Sequence, residues 1–152
     1  MDLPQIVREA LELQVLDQAP EQAAGVLGRG VTEHGAVAVA SALVDAGAVA
    51  LRRMVAQTDQ AYDQADLLAR LALDGAVPEH RLDLLGRMLG VAAATAGGIR
   101  PPVDALAREL GDQDLLFGAW LALLAALRVT ATTLEDTEAA LVEDVNAALE
   151  LF

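Results

Sequence analysis

Leu115-Leu-Phe-Gly-Ala-Trp-Leu-Ala-Leu-Leu-Ala-Ala-Leu127 runs for thirteen residues without a charge. Leucine and alanine are strong helix formers, and the run lacks the β-branched residues that favour strands. Read as a helix, it has no polar face to turn toward water, so it belongs at the centre of a helical protein. Two other segments share this character. One holds Gly35-Ala-Val-Ala-Val-Ala-Ser-Ala-Leu-Val44 and the other holds Met88–Ile99, twelve residues without a charge. Mean hydropathy is positive, yet neither charge-free run reaches the ~20 residues that cross a bilayer. All three are expected to be buried helices.

Composition supports a single all-α domain over residues 1–152. The chain is 55% hydrophobic but only 3% aromatic, so its core is built from Ala, Leu and Val, and no stretch alternates apolar and polar residues as a half-buried strand does. Nothing resembles a Ser/Pro-rich linker. There is no cysteine, which excludes disulfides and thiolate chemistry. All ten basic residues are arginine, a usage expected of a high-GC bacterial genome. The net charge of −13 repels phosphate backbones and anionic bilayers, so neither nucleic acid nor membrane is an expected partner. The start, Met-Asp-Leu-Pro-Gln, has no basic or apolar signal region, and a cytoplasmic location is the expectation.

Proline and glycine divide the chain. Pro4, Pro20, Pro78, Pro101 and Pro102 sit where helices begin, and Gly30, Gly75, Gly97–Gly98 and Gly111 where they end. Thr133-Leu-Glu-Asp136 matches a capping box. Eight helices follow, near 3–17, 20–29, 33–57, 60–74, 78–97, 101–110, 113–131 and 134–151, making a compact bundle of seven to eight. Inner helices 33–57, 78–97 and 113–131 alternate with amphipathic outer ones. Val31-Thr-Glu-His34 recurs as Val77-Pro-Glu-His80, each opening an inner helix. This suggests duplicated αα-hairpins with a period near that of HEAT-type repeats.

The chain contains no phosphate loop, dinucleotide fingerprint, zincin helix or nucleophile elbow. Gly25-x-x-Gly28-x-Gly30 follows no strand and reads as a helix end. Attention falls on polar residues in apolar surroundings. His34, Ser41, Asp45 and Arg52 are spaced 7, 4 and 7 residues apart, within roughly 40° of one face of a helix. A carboxylate there needs an ion pair or hydrogen bonds, and Arg52, Arg87 and Arg128 are its candidate partners. The functional reading is a polar pocket walled by Trp120, in which Asp45 acts as a base or anchors a ligand while an arginine holds an anion. The structural reading is an ion pair that registers the inner helices, and a third reading has the stripe face solvent between outer helices. Trp120 and Phe117 are expected in the core, and Tyr62 at the surface.

Glu33-His34 and Glu79-His80 do not chelate, because adjacent helical residues diverge by about 100°; no metal and no cofactor is expected. Ser41 and His34 stand about 10 Å apart along a helix, too far for a triad. The leading expectation is therefore a non-enzymatic helical interaction module, self-associating as a homodimer or binding another protein. It requires an exposed apolar strip on 134–151, which ends in Phe152, or on the N-terminal helix with Leu3, Ile6, Val7, Leu11 and Leu13. The alternatives are a small-molecule-binding protein or small cofactor-free enzyme with a pocket between inner helices, and an acidic decoy using Glu135–Glu150 and Asp59–Asp66 against a basic partner.

Overall fold

The computed structural model describes residues 1–58 and 81–149. Among these residues the chain forms seven α-helices and no strand, an all-α bundle. In chain order they are α1 (Leu3–Leu11), α2 (Pro20–His34), α3 (Ala36–Thr58), α4 (Leu82–Ala96), α5 (Val103–Leu110), α6 (Asp112–Thr133) and α7 (Glu138–Leu149). A π turn over Glu12–Leu16 extends α1. The expected helix 60–74 with Tyr62, the start of the expected 78–97 helix, Val77-Pro-Glu-His80 and Phe152 lie outside the described residues.

The three near-apolar segments are central, as expected. Helix α3 packs against both α4 and α6, most extensively against α6, and α4 packs against α6. Ala46, Ala50, Ala119, Ala122 and Ala126 are all fully buried, so the helix axes approach closely. Gly118 marks the tightest place. A Cβ there would lie 2.7 Å from Met88 Cγ and 3.0 Å from Leu84 Cγ, both on α4. Thr130 ties α6 to α3 by donating its hydroxyl to the Ala50 carbonyl at 3.3 Å. By length and composition α6 is long and apolar enough to cross a bilayer, but in the fold 61% of its most apolar window is buried within the protein.

Four boundaries differ from the sequence expectation. Gly30 does not end a helix. It sits inside α2, where an added Cβ would come within 3.0 Å of two Ile6 methyl carbons, so its role is the close passage of α1. Helix α2 instead runs to His34 and stops at Gly35, whose φ of +88° suits glycine. Val31-Thr-Glu-His34 thus closes an outer helix rather than opening an inner one, which removes the first half of the suggested duplication. Lastly, Thr133 is not a helix cap. Helix α6 continues through Thr133, because Val129, Thr130 and Ala131 bury its flank. It closes with Glu135 at φ +54° and Asp136 N–H donating to Ala131 O at 2.9 Å, the Schellman pattern. Thr137 caps α7, its hydroxyl accepting from Ala140 N–H at 3.1 Å.

The outer helices fasten to this core. Ile6, Val7 and Leu11 of α1 and Leu141, Val142 and Leu149 of α7 are buried. Arg53 of α3 meets Asp144 of α7 at 2.9 Å. Phe117 departs from expectation: it is 41% exposed, with the Arg81 guanidinium 5.2 Å above its ring. Arg81 is held there by Asp114 at 2.7 Å.

Two glycine substitutions separate steric need from helix propensity. Gly118→Ala forces a Cβ against α4, and overpacking of this kind costs about 1–3 kcal/mol, more than the ~1 kcal/mol gained in helix propensity. Gly90, within α4, has nothing within 4 Å of an added Cβ, so Gly90→Ala is expected to stabilise by about 0.5–1 kcal/mol. Urea denaturation of the two variants is expected to move in opposite directions.

Candidate functional site

The outward stripe of α3 consists of Ala38, Ser41, Ala42, Asp45, Val49 and Arg52, spaced at helical periodicity so that all six share a face. They line a partly open cavity of about 450 Å3, bordered on its other sides by Leu3, Pro4 and Val7 of α1, by Thr95, Gly98 and Arg100 within and beyond the end of α4, and by Leu149 of α7. A smaller recess of about 290 Å3 opens beside it. Ser41, Asp45, Thr95 and Arg100 border both spaces, and Pro101, Pro102 and Asp104 complete the recess. The walls are mostly apolar and the polar groups converge where the two spaces meet, the usual make-up of a small-molecule site.

Among the described residues Asp45 has no bonded partner in this site. It is half-buried, and burial pushes its carboxyl above the ordinary 3.8, against the opposing pull of Arg100 and then Arg52. Neither guanidinium comes within the 4.0 Å of an ion pair, and no described residue donates a hydrogen bond to the carboxylate. The internal ion pair expected from the sequence is therefore not formed. Arg52 is occupied elsewhere. Its Nε donates to Ala96 O and its Nη2 to Thr95 O, each at 3.0 Å, so it caps the last carbonyls of α4 and opposes the negative end of that helix. Thr95 donates its own hydroxyl to Val91 O at 2.8 Å. Arg100, in the turn after α4, has no hydrogen-bond partner among the described residues.

Of the seven residues singled out from sequence, Ser41, Asp45 and Arg52 share the cavity. The others do not line it. His34 lies at the end of α2, its Nε2 2.8 Å from Met1 O, because Gly35 separates it from α3. Arg87 pairs with Glu109 of α5 through two contacts of 2.9 and 3.1 Å. Arg128 reaches Glu138 of α7 at 3.6 Å. Trp120 is partly buried against the core. Arg87 and Arg128 thus serve as cross-braces, not as partners of Asp45.

Arg100 and the apolar walls from α1 and α7 were missed. A signal existed for Arg100 alone: Gly97-Gly98-Ile99-Arg100-Pro101-Pro102 marks a tight turn at the end of an inner helix, and Arg100 stands exposed on that turn at the rim of the cavity. No group of three or more metal-ligating side chains occurs among the described residues. Comparison with protein-family models, curated proteins and solved structures gives no match, so the site is read from its own geometry.

The raised Asp45 pKa sets a sign for pH dependence. The folded chain holds this proton to higher pH than the unfolded chain does, so Asp45 lowers relative stability as pH rises from 3.8. Asp45→Asn does not ionise. It is expected to be more stable than the parent near neutral pH, with the difference vanishing in acid below 3.8. Denaturant midpoints at the two pH values measure this.

Proposed function

We propose that the chain is a small-molecule-binding protein whose ligand occupies the cavity between α1, α3, the end of α4 and α7. The observation that carries this reading is a half-buried carboxyl, Asp45, without a bonded partner, facing an apolar-walled space of about 450 Å3. A buried polar group left unpaired is costly, and a ligand that bonds to it offsets that cost. The volume lies within the range of small-molecule sites.

Two further observations favour a ligand over a protein partner. The apolar strips of α1 and α7, which an interaction module would present, are buried in this chain's own core. Among the described residues the large exposed apolar side chains, Met1, Leu16, Ile99 and Phe117, come from four separate segments. An acidic decoy also finds less support, since Glu109, Asp114, Glu138 and Asp144 are each engaged by arginine. Binding rather than catalysis is the reading, because His34, the one histidine among the described residues, is remote from Ser41 and Asp45.

Four indole probes of one shape and different charge test the cavity: indole, indole-3-propionate, tryptamine and tryptophan. At least one is expected to shift the methyl NMR signals of Ala42, Val49 and Leu149 saturably. Ala42→Phe, which fills the cavity, should weaken that probe at least about tenfold, a loss of roughly 1.4 kcal/mol, with helicity retained by circular dichroism. Failure of all four to perturb these signals would sink the reading.

A further inference from the structure

The charges around the cavity narrow the class of ligand. Asp45 and Arg100 border both the cavity and its side recess, carry opposite charges, and are not in contact. A second carboxylate, Asp104, stands at the recess in the first turn of α5. Arg52 faces the cavity from two turns further along α3 with Nε and Nη2 already bonded. Ser41, one turn before Asp45, has no hydrogen-bond partner of its own among the described residues.

A purely anionic ligand would meet Arg100 but would bring its charge up to Asp45, whose desolvated carboxylate would stay unbonded. A purely cationic ligand would satisfy Asp45 but would leave Arg100 without a bonded partner, and would face Arg52, whose Nε and Nη2 are already bonded to α4 carbonyls. A molecule bearing both charges on neighbouring atoms meets each demand. The apolar walls of the larger space then take its remaining bulk.

We infer that the cavity is built for an apolar zwitterion of amino-acid type, its ammonium donating to Asp45 and Ser41, its carboxylate held by Arg100, and its side chain lying among Val7, Ala42, Val49 and Leu149. This inference rests on the cavity being a ligand site. Ammonium binding also recovers the cost of burying Asp45, because charge-assisted hydrogen bonds to a desolvated group are among the stronger ones. The long-range field of a chain carrying −13 attracts the ammonium end, which leaves Arg100 as the local element that selects for a carboxylate as well.

The four indole probes rank the possibilities by titration calorimetry with the full chain. Tryptophan is expected to bind at least about tenfold more tightly than either tryptamine or indole-3-propionate, the size expected of one charged hydrogen bond. Asp45→Asn should reduce tryptophan to the level of indole-3-propionate, and Arg100→Gln should reduce it to the level of tryptamine. Indole should bind both variants as it binds the parent, which shows that the cavity is intact. Tryptamine matching tryptophan would overturn the role of Arg100, and indole-3-propionate matching it would overturn that of Asp45. In either case indole binding would leave the cavity reading standing. Binding of none of the four would overturn both.

Discussion

The close approach of α4 to α6 at Gly118 constrains the rest of the structure. With Met88 and Leu84 pressed to within about a Cβ's reach of the α6 backbone, the two helices cannot separate without opening a void, and voids in a close-packed interior are costly. Helix α3 lies against the same pair. An added Cβ at its Gly47 would meet Ala92 Cβ of α4 at 3.6 Å and Leu123 Cα of α6 at 3.8 Å. Three nearly featureless Ala/Leu helices are thereby given one arrangement by the placing of small residues, to which side-chain hydrogen bonds from Thr130 to Ala50 O and from Arg52 to Ala96 O and Thr95 O are added.

This arrangement decides what the arginines do. Because the core is made of small apolar side chains, charged groups are confined to helix edges, where they join one helix to the next. Arg53, Arg81, Arg87 and Arg128 each reach a carboxylate on another helix. Exposed pairs of this sort contribute little to stability individually. Arg52 is used differently, on the carbonyls that end α4. Asp45 is left with charges nearby and no bond to any of them.

The cavity also depends on the chain's outer layer. Helix α3 alone presents Ser41, Asp45 and Arg52 along one open face. Leu3, Pro4 and Val7 from α1 and Leu149 from α7 turn that face into a partly open cleft, in which Asp45 is half-buried. The same closure accounts for the absence of exposed apolar strips on α1 and α7. Their hydrophobic faces are consumed in building the walls.

The helical class, the three central segments and the common face of Ser41, Asp45 and Arg52 were legible in the sequence, since each follows from composition and a period of 3.6 residues, both local properties. Proline and glycine punctuation located most helix ends. It misplaced the end of α2, because Gly30 and Gly35 look alike in one dimension. Only the passage of Ile6 over Gly30 shows that one serves packing and the other the turn. The capping-box match misplaced the start of α7 for a similar reason: Thr133 and Thr137 are both suitable caps, and burial of the α6 flank selects the second. The choice of partners lay wholly beyond sequence reading. That Arg87 goes to Glu109, that Arg128 goes to Glu138, and that Arg100 and Leu149 meet around Asp45 are facts about segments far apart in the chain. They are set by where close-packed helices bring their edges together, and periodicity along a single helix holds no information about that.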